Sequence, residues 1–160
     1  LLEISKIKYM PDRVDFNKIR YRPATEDDYE IIYNLSKENM EAEVVKHFGN
    51  WDDELFRKNF CTKTNTIIEY NQSFIGFFAW GNINNVGYIH NIQIKKEFQR
   101  NGIGCLVLAM IDKLAKRAGL KELRLRVFKD TPAEIFYSNN GYLDLEVKRG
   151  QVLMVKKITI

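Results

Sequence analysis

The hexapeptide QRNGIG, Gln99 to Gly104, restricts the possible folds of this chain more than any other stretch. It stands between VGYIHNIQI (Val86 to Ile94), which alternates as a half-buried strand does, and Ile103 to Ala118, whose apolar residues recur at helical spacing. A strand that turns directly into a helix is therefore predicted, with two glycines at the helix mouth. One glycine is enough for a tight bend. Two, spaced by one residue, suggest that something approaches the backbone closely. A helix start leaves backbone N–H groups without partners and carries partial positive charge, so Arg100 to Cys105 could receive a phosphate or pyrophosphate. The stretch is neither GxxxxGK followed by Ser or Thr nor GxGxxG. A plain turn whose glycines only avoid a clash is the alternative reading.

The flanking elements place that turn in a domain. IRYRPA (Ile19 to Ala24) reads as a strand ended by Pro23, and Thr25 with Asp28 makes a capping box for the helix TEDDYEIIYNLSKENM. Its expected buried stripe is Tyr29, Ile31, Ile32, Leu35 and Met40. Glu41 to Phe60 predicts a second helical region, broken at GNWDD, where Gly49 ends one helix and Asn50 or Asp52 caps the next. TNTIIEY and FIGFFAWG around NQS form a hairpin, NINN is a second turn, and Val86 to Lys95 returns as a strand. After the helix that ends at Gly119 come the strand KELRLRVF, a helix opened by Thr131 and Pro132, and two strands meeting at Arg149-Gly150. The order is strand, two helices, three strands, helix, strand, helix, two strands. This is an α/β (α+β) domain on a mixed sheet, over residues 18–160, with residues 1–17 as an appended N-terminal extension.

Composition narrows the function. Of 160 residues, 45% are hydrophobic and 29% charged, which is globular usage, and no run of about 18 apolar residues could span a bilayer. The opening LLEISKIKYMPDR has neither a long apolar core nor a small-residue cleavage site, so it does not read as a signal peptide. Cys61 and Cys105 are the only cysteines, with no CxxC and no histidine pairs nearby, so neither a disulfide framework nor a metal site is expected. A cytoplasmic location follows as the expectation. The 25 basic residues exceed the 21 acidic ones by four but are spread along the chain, which argues against nucleic acid and suits an anionic small ligand. No membrane partner is expected.

QRNGIG also matches the Q/R-x-x-G-x-G/A pattern by which the GNAT superfamily of N-acetyltransferases binds acetyl-CoA, and it stands after the fourth strand, as it does there. VFKDTPAEIFYSNNGY (Val127 to Tyr142) resembles that superfamily's second recurrent stretch: a strand end, a Pro-Ala pair opening a helix, then a Phe-Tyr pair before Gly and an aromatic. The resemblance spans roughly Ile19 to Ile160. It departs at Thr131, where many members have Asn, and at Lys96, where Pro is common. The resemblance implies a mostly antiparallel sheet of about seven strands, with a splayed central pair and about four flanking helices. Acetyl-CoA would be the co-substrate, with no metal. Pantetheine would pair with backbone at Ile92, Gln93 and Ile94, pyrophosphate would sit on Gln99, Arg100, Asn101, Gly102, Ile103, Gly104 and Cys105, and Thr131, Ala133 and Phe136 would complete the cofactor site.

Acetyl transfer to an amine needs a neutral amine and a proton for the departing thiolate. Alkylamines titrate at about 10, so a base must help. Strand alternation puts Tyr88, His90, Ile92 and Ile94 on one face, and His90 then points toward the acceptor as a general base. Histidines occupy this strand position in arylalkylamine acetyltransferases, which the chain resembles in that respect only; a packed histidine is the alternative. The resemblance makes Tyr137 the general acid, although a tyrosine in such a helix is often only core. Glu41, Glu43, Asp52 and Asp53, in the segment that shapes the acceptor site in the superfamily, could attract a cationic amine, with Tyr88 nearby. Cys105 is expected to be buried filler. The acceptor is a small-molecule or peptide amine, and a homodimer is admitted as the assembly. The rival class is a non-catalytic acyl-CoA-binding sensor or interaction module.

Overall fold

Two-residue turns built from left-handed residues set the course of the sheet. Asn71 and Gln72, Asn84 and Asn85, and Arg149 and Gly150 all have positive φ, the geometry whose twist matches that of the strands it joins. In the computed structural model, which describes residues 13–159, these turns connect β2 (Asn65–Tyr70) to β3 (Ser73–Ile83), β3 to β4 (Val86–Ile94), and β6 (Leu143–Lys148) to β7 (Gln151–Lys157). With β1 (Ile19–Pro23) and β5 (Glu122–Phe128) they form one seven-stranded sheet of order β1-β2-β3-β4-β5-β7-β6. Every neighbouring pair is antiparallel except β4 and β5. The mixed, mostly antiparallel sheet and the element order agree with the sequence.

Four α-helices cover the two faces among the described residues: α1 (Tyr29–Phe48), α2 (Asp53–Asn59), α3 (Ile103–Arg117) and α4 (Pro132–Asn139). A turn of 3-10 helix, Glu26–Asp28, precedes α1. Its N-cap backbone donates from Thr25 to Asp28 Oδ2 at 2.8 Å. Arg22 donates to both oxygens of Asp28 at 2.8 Å and holds that carboxyl down to about 2.

The expected division after Met40 is corrected. α1 runs on to Phe48 because nothing between Met40 and Gly49 breaks a helix, and Gly49 (φ +91°) ends it with an N–H to Val45 O at 2.9 Å. Asp52 then caps α2 by accepting from Leu55 N–H at 2.9 Å. The buried stripe of α1 is also narrower than expected. Ile32 and Leu35 are buried, whereas Ile31 is exposed. Among the described residues no helix is long and apolar enough to cross a membrane.

Each sheet face has its own core. Ile103, Val107, Leu108 and Ile111 of α3 pack with Phe78, Ile89, Leu123, Leu125, Val152 and Met154 on one face. Ile32 and Leu35 of α1 pack with Ile67 and Phe77 on the other.

β4 and β5 meet at only three positions, Gly87 with Leu123, Tyr88 with Arg124, and Ile89 with Leu125. Beyond them β4 stays on β3 as far as Ile94, and β5 stays on β7 as far as Phe128. The strands therefore diverge, as the resemblance implied. Gly87 permits the closed end of this seam: a Cβ there would lie 2.6 Å from Leu123 Cδ2, with Leu120 Cδ1 at 3.3 Å and Glu122 O at 3.4 Å. Leu123 and Leu120 are fully buried and have nowhere to go. Gly87→Ala is expected to destabilise the fold by about 1–3 kcal/mol through overpacking, read as a lower urea midpoint at unchanged slope.

Candidate active site

The register of β3 on β4 decides which side chains face which side. Phe78 pairs with Ile92 and Ala79 with Asn91, but Trp80 pairs with Ile89, which leaves His90 as an extra residue in a β-bulge. The bulge breaks the two-residue period. Ile89, Ile92 and Ile94 belong to the core under α3, whereas His90 and Asn91 line a cavity on the α1 face. The expectation that His90 shares a face with Ile92 and Ile94 is corrected by that single inserted residue.

His90 forms no hydrogen bond among the described residues. Its ring opens on the cavity, and Gly81 leaves space beside it, since a Cβ there would stand 3.5 Å from Nε2. Partial burial lowers its pKa below the usual imidazole value, so the ring is neutral at pH 7.

Past the bulge, β4 turns part of its backbone toward the gap. Lys95 N–H donates to Ile75 O at 2.8 Å. Antiparallel pairs alternate, so Gln93 and Asn91 also bond across to β3, while Ile92 and Ile94 direct their N–H and C=O groups away from it. The Ile94 carbonyl is already occupied: it accepts from Asn39 Nδ2 at 3.1 Å and from Gln99 Nε2 at 3.0 Å. Asn39 also donates to Gln93 Oε1 at 3.0 Å, and Gln93 Nε2 donates to Asn91 Oδ1 at 2.8 Å. Both groups of Ile92 and the N–H of Ile94 remain for a ligand. Asn39, which ties α1 to this strand end, has no signal in the sequence.

The loop from Gln99 to Cys105 is a run of donors. Arg100 (φ +60°) and Gly102 (φ +84°) are left-handed, and Leu106 makes the first intrahelical bond of α3, to Gly102 O at 3.0 Å. No described residue accepts from the backbone N–H groups of Arg100, Asn101, Gly102, Ile103, Gly104 or Cys105. Such a concave run of N–H groups at a helix start suits an anion. The side chain of Gln99 does not join it, because it reaches back to Ile94. Ile103 is buried, and Asn101 Nδ2 donates to Gln99 O at 3.0 Å. Cys105 is exposed rather than buried, a correction, because its side of the first helical turn faces away from the sheet.

The two glycines have separate reasons. Gly102 needs its positive φ, and a Cβ there would stand 3.2 Å from Phe16 Cζ. At Gly104 the close neighbour is part of the protein itself: a Cβ would lie 2.9 Å from Cζ of Phe136 on α4. The two sequence motifs thus touch.

α4 starts as expected. Thr131 Oγ1 donates to Phe128 O at 2.7 Å and accepts from Glu134 N–H at 3.4 Å, Pro132 follows, and Ala133 is exposed. Tyr137 packs edge-on against Phe136 and Tyr142, on the α3 face. Its hydroxyl makes no hydrogen bond among the described residues, and desolvation pushes the phenol well above the usual tyrosine value. His90 and Tyr137 therefore approach the gap from opposite faces of the sheet.

The cavity beside His90 has a volume of about 800 Å³ and is walled by α1, α2, their connection, the α2–β2 connection, the middles of β3 and β4, and the end residues Asn65 of β2, Phe128 of β5 and Gln151 of β7. Of the acidic candidates only Asp52 lines it. Glu41 is paired with Lys37 at 3.6 Å, Glu43 lies 3.6 Å from His47 Nδ1, and Asp53 accepts from Tyr33 Oη at 2.5 Å. Tyr88 also lies off the cavity, in register with Arg124. Among the described residues no group of three or more His, Cys, Asp or Glu side chains could hold a metal ion.

A sheet with one parallel seam that opens beside a donor-rich loop defines an acyltransferase-type architecture. The model of the Acetyltransferase (GNAT) family matches residues 27–142, and the chain belongs to that family. No curated protein matches the sequence.

Solved structures share the fold at low identity. The PaiA N-acetyltransferase from Thermoplasma acidophilum, in complex with coenzyme A, has a TM-score of 0.69 at 20% identity, over 87% of this chain and 98% of its own. The ribosomal-protein-S18-alanine N-acetyltransferase from Escherichia coli has a TM-score of 0.68 at 18% identity, over 89% and 95%. N-acetylglutamate synthase from Neisseria gonorrhoeae, with coenzyme A and N-acetyl-glutamate, has a TM-score of 0.68 at 17% identity, over 89% of this chain and 35% of its own.

The Gly104–Phe136 contact can be tested by a change of sign. With Phe136 present, Gly104→Ala should destabilise by about 1 kcal/mol, since overpacking exceeds the gain in helix propensity. In a Phe136→Ala background the same substitution should become neutral or stabilising, as measured by a double-mutant cycle in urea.

Proposed function

We propose that the protein is an acetyl-CoA-dependent N-acetyltransferase that passes an acetyl group directly to a primary amine within a ternary complex. The observation that carries this reading is the gap between β4 and β5, which starts beyond Ile89 and Leu125, next to His90. The residues present fit the cofactor. The acceptor-free N–H groups of Arg100 to Cys105 would hold its pyrophosphate, and Ile92 N–H and C=O with Ile94 N–H would pair with the pantetheine amides. Coenzyme A bound to the PaiA and N-acetylglutamate synthase structures supports the assignment.

Acetyl-CoA supplies a thioester. The amine nitrogen attacks its carbonyl carbon, a C–N bond forms, and the C–S bond breaks. His90 takes the amine proton, directly or through water, a role that its lowered pKa favours because the ring stays unprotonated at neutral pH. Tyr137 gives a proton to the departing sulfur. Its phenol is kept protonated by desolvation and has no partner among the described residues to compete for the hydroxyl. The acceptor amine would reach the carbonyl from the α1 face, through the cavity that His90 and Asn91 line.

Thiol release over a panel of amines, run beside acetyl-CoA calorimetry, tests the reading. Binding without release on any amine would favour the sensor module instead. Because the folded pKa of His90 is depressed, its base form persists to lower pH, so the acidic limb of kcat/KM should fall below the free-histidine value of about 6.5. His90→Ala should remove the limb and lower kcat/KM by roughly 10²-fold. A limb that survives in His90→Ala and moves with the acceptor's own pKa would assign deprotonation elsewhere. Tyr137→Phe should lower kcat by about tenfold or more while leaving acetyl-CoA affinity within about twofold.

A further inference from the structure

The wall of the cavity beside His90 is built almost without charge. Six rings contribute to it: Phe48 of α1, Trp51, Phe56 of α2, Phe60, Phe77 of β3 and Phe128 of β5. Met40, Val44 and Leu55 add aliphatic surface. Among the described residues no lysine, arginine or glutamate lines it, Asp52 is its one carboxylate, and His90 is its one imidazole. Asp52 is partly committed, since Oδ1 accepts from Leu55 N–H at 2.9 Å to cap α2.

The outer side of that wall is equally specific. Tyr29, Tyr33, Trp51, Phe56 and Phe60 form a continuous set of ring contacts at 5.2–6.3 Å, and the Arg57 guanidinium lies 4.3 Å from the Tyr29 centroid. These contacts hold α2 against α1, so the aromatic wall is preformed. The Trp51 Nε1–H is buried and has no acceptor among the described residues.

We infer that this cavity selects a primary amine carried on an apolar, ring-sized body, and disfavours acceptors with a second cationic group. The inference rests on the acetyltransferase reading and adds the class of acceptor. Two terms favour it. A ring that enters the cavity exchanges water for aromatic surface and edge-to-face contacts. A second ammonium in the same place would leave water for a wall whose one carboxylate, Asp52, is already partly committed to capping α2, which is unfavourable. The cavity volume of about 800 Å³ lies within the usual range of about 300–1,000 Å³ for small-molecule sites.

The test reads binding separately from turnover. The full chain, with and without coenzyme A, is titrated with 2-phenylethylamine, 1,4-diaminobutane and a lysine-containing tripeptide, and binding is followed by calorimetry and tryptophan fluorescence. We expect 2-phenylethylamine to bind at least about tenfold more tightly than the other two, with a fluorescence change that Trp51→Phe abolishes. Asn59→Asp, an isosteric change that adds a carboxylate to the wall, should raise diamine affinity severalfold and narrow the preference. Equal or tighter binding of the diamine or peptide, or saturation by none of the three, overturns the inference even if thiol is released from other amines. Selective binding of 2-phenylethylamine without thiol release leaves the cavity's preference for ring-borne amines standing and overturns the acetyltransferase reading instead.

Discussion

The short parallel seam between β4 and β5 is the constraint on which the rest of the structure depends. A parallel pair within an otherwise antiparallel sheet needs a crossover, and α3 supplies it by packing across the sheet. The seam is tight at one end because Gly87 lets the Leu123 side chain fill the space of a missing Cβ. It is open at the other because each strand keeps its outer partner, β3 for β4 and β7 for β5. Strands that stayed paired throughout would leave no backbone of β4 facing a gap.

Around that opening the two faces carry different groups. The α3 face supplies the donor-rich loop and, through α4, Tyr137. The α1 face supplies the cavity with its aromatic wall and His90. The bulge at His90 makes this division possible, because it allows one strand to present isoleucines to the core on both sides of an imidazole that faces the other way. Burial moves both titratable groups toward their uncharged forms, the neutral imidazole and the protonated phenol.

Local chemistry was readable from the residues, and tertiary chemistry was not. The strand-turn-helix at QRNGIG, the Thr131-Pro132 helix start and the left-handed turns at Asn84-Asn85 and Arg149-Gly150 all follow from the preferences of a few adjacent residues, and all are present. The bulge depends on how β3 registers with β4, which no period within β4 can report. Gly104 looked like a place for a ligand to approach, whereas its close contact is a ring 32 positions later in the chain. The turn residues of GNWDD suggest a break inside a separate second helix, whereas α1 is continuous to Phe48 because the run before Gly49 carries no breaker. The cavity wall combines residues from seven secondary-structure elements and two connections, none of which marks itself as a wall.

The shared carbonyl of Ile94 has a consequence for how members of such a family could exchange parts. One oxygen receives an amide from α1 and another from the Gln99–Cys105 loop, so the α1 side and the α3 side of the domain meet at a single atom. A chimera that takes its α1–α2 segment from a relative would replace Asn39 while keeping Gln99. The join would then work only if the donor segment also carries an amide at that helical position. Position 39 is thus a compatibility mark for recombination.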